Sequence, residues 1–309
     1  MTGYSGPVPT AIGAVLLSVL SLLMLGQDLP GSAAFGVAVL ACIAMMALVV
    51  SLVSSGRRAG VLPPLVLGAA ILLLWEVGTR GFGVPSVILP PVSAIAVRMV
   101  ASHATLWEDF SQTFLKGALS GYIIGCGAGF LLALFSDRVP FLQRGLLQVG
   151  NFLAAMPIIG IAPILVMWFG FDWQSKAAVV AVMCFFPMLV NTVQGLAAAG
   201  AMQRDLMRTY AASYGQSMTK LRLPAAAPFI FNGLKICTTL ALIGAIVAEF
   251  FGSPIRGMGF RISTEVGRLN LDMVWAEIVV AALAGSAFYG VITLLERAAT
   301  FWHPSQRRG

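Results

Sequence analysis

Acidic side chains and histidine are scarce in this sequence. Among 309 residues there are 12 Asp and Glu and two His, and only 10% of the chain is charged. So little polar surface cannot clothe a soluble domain of this length, because water-facing surfaces draw heavily on charged side chains. Close-spaced cysteines are missing as well. Cys42, Cys126, Cys184 and Cys237 fall singly in separate apolar runs, which suggests neither a disulfide framework nor a metal site and reads them as small apolar packing residues. His103 and His303 stand far apart, and no Gly-rich phosphate loop or Cys/His ligand spacing occurs. No catalytic residue and no metal site is therefore expected, and the chain is not expected to hydrolyse ATP itself. Cations are absent ahead of Arg57; without the basic region of a signal peptide, the expectation is an uncleaved membrane start.

What is present is apolar: 59% of the residues are hydrophobic. Windows long enough to cross a bilayer, about 17 to 25 residues each, lie near 9–26, 33–53, 62–79, 114–136, 146–170, 175–196, 228–250 and 273–296. The predicted fold class is all-α, a polytopic membrane helix bundle of about eight transmembrane helices. In such a chain the net charge of +7 reports cytoplasmic anchoring rather than nucleic-acid binding.

The stretch from Asp205 to Pro228 is a polar, mostly cationic interruption between apolar runs. Arg204, Arg208, Lys220 and Arg222 place it on the cytoplasmic side. Alternating outward from it puts connectors 54–61 and 137–145 and the C-terminal tail inside too, and these carry Arg57, Arg58, Arg138, Arg144, Arg297, Arg307 and Arg308. Both termini are then cytoplasmic. The outer connectors are not free of cations: Arg80, Arg98, Lys176, Arg256, Arg261 and Arg268 fall there.

Several segments carry more than hydrophobicity. Between 80 and 113, Pro85, Pro90 and Pro91 break the chain before a run in which Val92, Ile95, Ala96 and Met99 share one face, predicting an interfacial helix. Gly117, Gly121, Gly125 and Gly129 recur every four residues, so a neighbouring backbone can approach closely, either as tight packing or as a sliding surface. Asn151, Pro157, Gly160 and Pro163 mark a kinked span beside protein or a wet cavity. Pro187, Asn191 and Gln194 share a helix face, and amides in hydrocarbon require partners; they hydrogen-bond either a passing polar solute or another helix. Lys235 lies two turns into its span and can snorkel to the cytoplasm. Glu249, beside Phe250 and Phe251 near the outer end, reads as a gate or as an ion-pair partner of Arg256 or Arg261. Buried ionisable groups sufficient for a proton relay are not evident.

The polar loop resembles the EAA loop of permease subunits of bacterial ABC importers. Asp205 takes the Glu position, Leu206 and Met207 the two Ala positions, Ala211 the Gly position, and Leu223-Pro224 match the closing dipeptide. The strings Pro157…Ala162-Pro163…Trp168-Phe169-Gly170 and FFP…VNT…GL resemble the branch that imports nitrate, sulfonates, taurine and thiamine-type pyrimidines. The resemblance implies a six-helix type I importer core over 57–309, preceded by an N-terminal transmembrane hairpin over 1–56. It further implies a coupling helix over 205–217 in which Asp205, Arg208, Ala211, Ala212 and Ser213, with Leu223 and Pro224, meet an ABC ATPase subunit. Substrate-pathway candidates are Asn151, Pro157, Pro187, Asn191, Gln194 and Glu249. A homodimer in the bacterial inner membrane, a periplasmic or lipid-anchored solute-binding protein, and ATP and Mg held by the partner ATPase rather than by this chain complete the expectation. A secondary carrier or scaffold without an ATPase is the alternative; an inverted repeat in the hydropathy and buried charge pairs would favour a carrier, and the sequence displays neither.

Overall fold

The computed structural model describes residues 7–25, 31–54, 62–139, 141, 145–146, 148–150, 158–253 and 255–301. Every regular element among them is helical, and six helices are long and apolar enough to cross a membrane. Of the eight windows, the first and fifth contain the shorter apolar helices Gly13–Met24 and Gly160–Phe169. The polytopic helical bundle is thus the fold. Asn151 and Pro157 lie outside the described residues.

The chain divides into two compact units. The first comprises residues 1–102 and 265–276. Its α1 (Pro7–Leu25) and α2 (Gly31–Ser54) form a hairpin, and α3 (Leu62–Gly81) packs on α2. Ala34 and Ala38 present a flat face one turn apart and bury Val77 of α3 with Phe35, Leu73 and Leu74 around it; small residues let apolar helices approach where hydrophobicity offers no preference in lipid. The helix expected after the prolines is α4 (Val92–Ala101), with Ile95 buried. It is tied to α3 by the Glu76 carboxylate, which accepts from the Ser93 backbone at 3.0 Å and its hydroxyl at 2.7 Å, and by Trp75 Nε1 donating to the Pro90 carbonyl.

The second unit comprises 103–264 and 277–309. It opens with α5 (His103–Phe110), a π-helical stretch (Ser111–Ala118) and α6 (Leu119–Ser136), which run on as one 34-residue apolar helix. Then come α7 (Ile158–Phe169), α8 (Trp173–Ala197), α9 (Ala201–Thr209), α10 (Tyr214–Ser217), a second π-helical stretch (Met218–Arg222) and α11 (Leu223–Phe251). Helices α12 (Met258–Gly267) and α13 (Leu271–Ala299) follow, each crossing from one unit to the other. The core lies where α6, α8 and α11 meet, around Tyr122, Val180, Met188 and Ala241.

The glycine stripe explains why α6 and α8 fit so closely. A Cβ on Gly125 would stand 2.5 Å from the Ala181 carbonyl oxygen and 2.8 Å from its Cα, and one on Gly129 would stand 2.5 Å from the Phe185 carbonyl oxygen. These are backbone atoms that no rotamer change moves aside. The stripe is therefore a tight packing seam in this conformation.

Candidate functional site

The connector between α8 and α11 is built by local rules. Gly200 caps helix α9, its N–H donating to the Gln203 side chain at 3.1 Å. It ends in a Schellman-type turn: Ala211 and Ala212 N–H return to the carbonyls of Arg208 and Met207 at 2.9 and 3.0 Å, with Ala211 at φ 50°. That left-handed position favours glycine, which is a physical reason for a Gly at the position Ala211 occupies. Ser213 then caps α10, accepting from Gln216 N at 3.3 Å while Gln216 Oε1 accepts from Ser213 N at 2.9 Å. The Asp205-to-Ser213 segment is thus a helix, a reversal and a new helix start. Ala211→Gly is expected to relieve about 1 kcal/mol of local strain, read as slower amide exchange across residues 207–213.

Helix α9 buries none of its residues. Met202, Leu206 and Tyr210, spaced four apart, are 86%, 55% and 77% exposed. An apolar stripe on a helix with no core contact calls for a partner. The other side of α9, with Arg204, Met207 and Arg208, lines a polar cavity of about 450 Å³ together with Asp137, Tyr214, Ser217 and Arg222. Asp205 is exposed and its nearest cation is Arg208 at 3.5 Å. Leu223 anchors the segment to Leu196, Met218 and Ala226 of the bundle. Pro224 follows the second π-helical stretch closely, at the start of α11.

A buried ion pair braces this end of the bundle. Arg222 donates through both terminal nitrogens to Asp137 at 2.5 and 2.6 Å, and through Nε to the Leu196 carbonyl at 3.2 Å. Tyr214 Oη adds a 2.7 Å bond to the same carboxylate, and Arg138 lies over the Tyr214 ring. Burial pushes the Asp137 carboxyl up, but the hydrogen bonds from Arg222 and Tyr214 and the guanidinium charge outweigh it and hold the group below its ordinary value. The sequence gives Arg222 the look of a topological cation, and nothing in its spacing points to Asp137, 85 residues earlier.

In α8, Asn191 Nδ2 donates to the Pro187 carbonyl at 2.8 Å while its Oδ1 accepts from Asn232 of α11 at 3.0 Å. Of the two readings open for Asn191, the interhelical bond is the one present. Gln194 and Asn232 are exposed on this chain. Three amides on one face of an apolar bundle would be costly against lipid, so this face suits a wet cleft. Asn232 escapes a reading of α8 alone because it lies on the neighbouring helix.

Glu249 is 1% exposed. Thr113, carried by the first π-helical stretch, donates to its oxygens at 2.8 and 2.9 Å, and Gly259 N donates at 2.7 Å. Thr113 Oγ1 in turn accepts from Met258 N at 2.7 Å. Gly257, at φ 119°, leaves the room the carboxylate fills: a Cβ there would stand 2.6 Å from its Cδ. Arg256 meets Glu108 at 2.7 Å and Arg261 meets Asp109 at 2.8 Å, so the ion-pair partners expected for Glu249 are engaged elsewhere. Lys176, far from being a surface cation, is 1% exposed and donates to the carbonyls of Phe171 and Gly252. Gln112 donates to Asp172 at 2.9 Å, and this bond together with the Trp173 N–H holds the Asp172 carboxyl below its usual range. Asp109, Lys176, Glu249 and Glu277 are all buried, so the chain does hold the buried ionisable groups that its sequence seemed to lack. They come from four different helices, α5, α8, α11 and α13.

Lys235 pairs with Glu296 of α13 at 2.8 Å. Cys126, Cys184 and Cys237 pack in the apolar core, as expected of small apolar residues, and although distant in sequence they bring their sulfurs within 4.8 Å of one another, with Cys184 and Cys237 donating to each other's carbonyls.

Residues 121–301 match the family described as binding-protein-dependent transport system inner membrane component. A Bacillus subtilis chain named as a transport permease for aliphatic sulfonates is 30% identical over 254 residues, covering 81% of this chain and 90% of the relative. The formylaminopyrimidine transport permease protein of Halalkalibacterium halodurans is 28% identical over 249 residues, 79% and 97% of the two chains. The riboflavin transport system permease protein of Chloroflexus aurantiacus is 28% identical over 237 residues, 76% and 88%. The family covers more than half of the sequence, its relatives are permeases over nearly their whole length, and the long helices are apolar enough to span a membrane: the chain belongs to the binding-protein-dependent inner membrane components, the permease subunits of ABC importers.

Proposed function

We propose that two copies of this chain enclose the pathway of an inner-membrane importer and that the segment 205–217 receives an ABC ATPase on the cytoplasmic side. The exposed stripe of Met202, Leu206 and Tyr210 on a helix without core contacts carries this reading. Asp205, Arg208, Ala211, Ala212 and Ser213 shape the docking segment, and Leu223 and Pro224 fix it to α11. ATP and Mg bind in the partner, which performs hydrolysis; closure of the ATPases draws the two α9 helices together and biases the bundle towards its outward-open arrangement. Residues 1–56 form an added hairpin ahead of the permease core 57–309, and both termini are cytoplasmic.

The solute is a small polar molecule handed over by a periplasmic or lipid-anchored binding protein. Asn191, Gln194 and Asn232 are themselves neutral donors and acceptors, which suits a pyrimidine-like heterocycle, as in the relative named for formylaminopyrimidine, better than a sulfonate. Asn151, Pro157 and Pro187 would shape the same pathway, with Glu249 holding its outer end. The buried carboxylates would also suit an ion-coupled carrier, but family membership and the α9 stripe favour ATP as the energy source.

Co-purification tests the docking. The tagged chain taken from native membranes in mild detergent should carry a P-loop ATPase in stoichiometric amount, and Leu206→Glu or Asp205→Arg should lose it and abolish uptake while the permease still inserts. Retention of the ATPase and of uptake in both variants would sink the reading.

A further inference from the structure

No donor reaches either carboxylate oxygen of buried Glu277, and among the described residues no other buried side-chain nitrogen or oxygen is in that position; the Asp109 carboxyl lies within hydrogen-bonding range, a bond that needs a proton on one of the two groups. Glu277 is 0% exposed on α13. The groups that act on it are Asp109 of α5, Arg261 of α12 and Glu249 of α11. Each has other ties. Asp109 accepts from Gly257 N at 2.6 Å and from Arg261 Nε at 2.8 Å. Glu249 is held by Thr113 and Gly259 N. Lys176, which acts on Glu249 in turn, spends its ammonium on two backbone carbonyls. Glu108, next to Asp109, is balanced by Arg256 in an exposed pair.

The charges of this buried set do not cancel. Asp109, Glu249 and Glu277 bring three negative charges, Arg261 and Lys176 two positive ones, so the set is short by one positive charge if all are ionised. A lone buried charge is unfavourable in a low-dielectric interior, and an ionisable group inside a membrane bundle that lacks a partner points to a transported or bound ion. We propose that Glu277, together with Asp109, binds one monovalent cation, either a proton or a sodium ion. Either source brings one positive charge between the two carboxyl groups, the proton as a covalent bond to one oxygen with a hydrogen bond to the other, sodium as an ion coordinated by oxygens of both. Occupancy balances the set and leaves Asp109 able to hold Gly257 and Arg261, so the α11–α12 connector is secured when the cation is bound. This site is separate from the amide face and from the ATPase contact, and it stands whatever the solute.

The test uses the full-length chain in lipid nanodiscs at neutral pH. Infrared difference spectra report the carbonyl stretch of a protonated carboxyl group, and thermal unfolding in sodium chloride against choline chloride at equal ionic strength reports sodium. If the cation is a proton, the wild type shows a protonated-carboxyl band that Glu277→Gln lacks. If it is sodium, the wild type melts higher in sodium than in choline and Glu277→Gln does not. Should that variant fail to fold, carbon-13 labelling of glutamate in the wild type assigns the band to Glu or Asp, and the sodium comparison needs no variant. A wild type with neither the band nor the sodium shift, or a band and shift both intact in Glu277→Gln, overturns the proposal.

Discussion

Replacing Arg222 by Met should cost the folded protein about 2–3 kcal/mol, read as a lowered thermal midpoint in detergent or nanodiscs. Removing one member of a fully buried ion pair costs about 3–5 kcal/mol because the other charge is stranded. Asp137 is 5% exposed at its side chain and Arg222 17%, so some water reaches the pair, and Tyr214 still donates to the stranded carboxylate. The effect therefore falls at or below the lower end of that range. Removing both charges, in Asp137→Leu with Arg222→Met, should recover part of the loss, since an apolar pair of similar size strands nothing. A double variant less stable than either single one would show that the pair is not the source. The pH dependence has a fixed sign. Because Asp137 is held below its ordinary value in the folded protein, its contribution is fully present above the unfolded carboxylate range, about pH 4, and is lost as pH falls through the folded value. The gap between wild type and Arg222→Met should therefore be constant from about pH 6 to about pH 8 and narrow in acid.

The second large effect is expected at Glu249. Glu249→Leu leaves Gly259 N–H and the Thr113 hydroxyl without their acceptor in a buried site. Unsatisfied buried donors cost about 1–3 kcal/mol each, so a loss of about 2–6 kcal/mol is expected. Glu249→Gln keeps one acceptor oxygen and should lose about 1 kcal/mol. Local exchange separates this from a general loss of stability: the amides of Gly257, Met258 and Gly259 should lose protection in Glu249→Leu while those of α6 do not. Equal protection at 257–259 in both variants and the wild type would remove Glu249 from its role of fastening the connector.

The two π-helical stretches stand beside these two networks. Ser111–Ala118 carries Thr113 towards Glu249, and Met218–Arg222 carries Arg222 towards Asp137. An extra residue in a helical turn rotates the side chains that follow it, and at both places the rotated stretch holds the polar group that reaches across to another helix. Pro224 closely follows the second stretch and cannot supply an N–H to the ladder, which gives that irregularity a local cause; the first has no proline near it.

The sequence alone determined the membrane class, the helical fold, the cationic connector and the family, because these rest on local composition, on the length of apolar runs and on a contiguous motif. It also marked the glycine seam, since a four-residue period is visible along one helix. The tertiary structure decided the partners. Asp137 found Arg222, Asn191 found Asn232, Glu249 found Thr113 rather than an arginine, and three separate cysteines met in the core. Each of these pairs joins residues on different helices, and in an apolar bundle every helix carries much the same pattern, so nothing local states which faces meet. The buried charges were hidden for the same reason: Asp109, Glu249, Arg261 and Glu277 lie on four different helices, and only packing gathers the other three around Glu277.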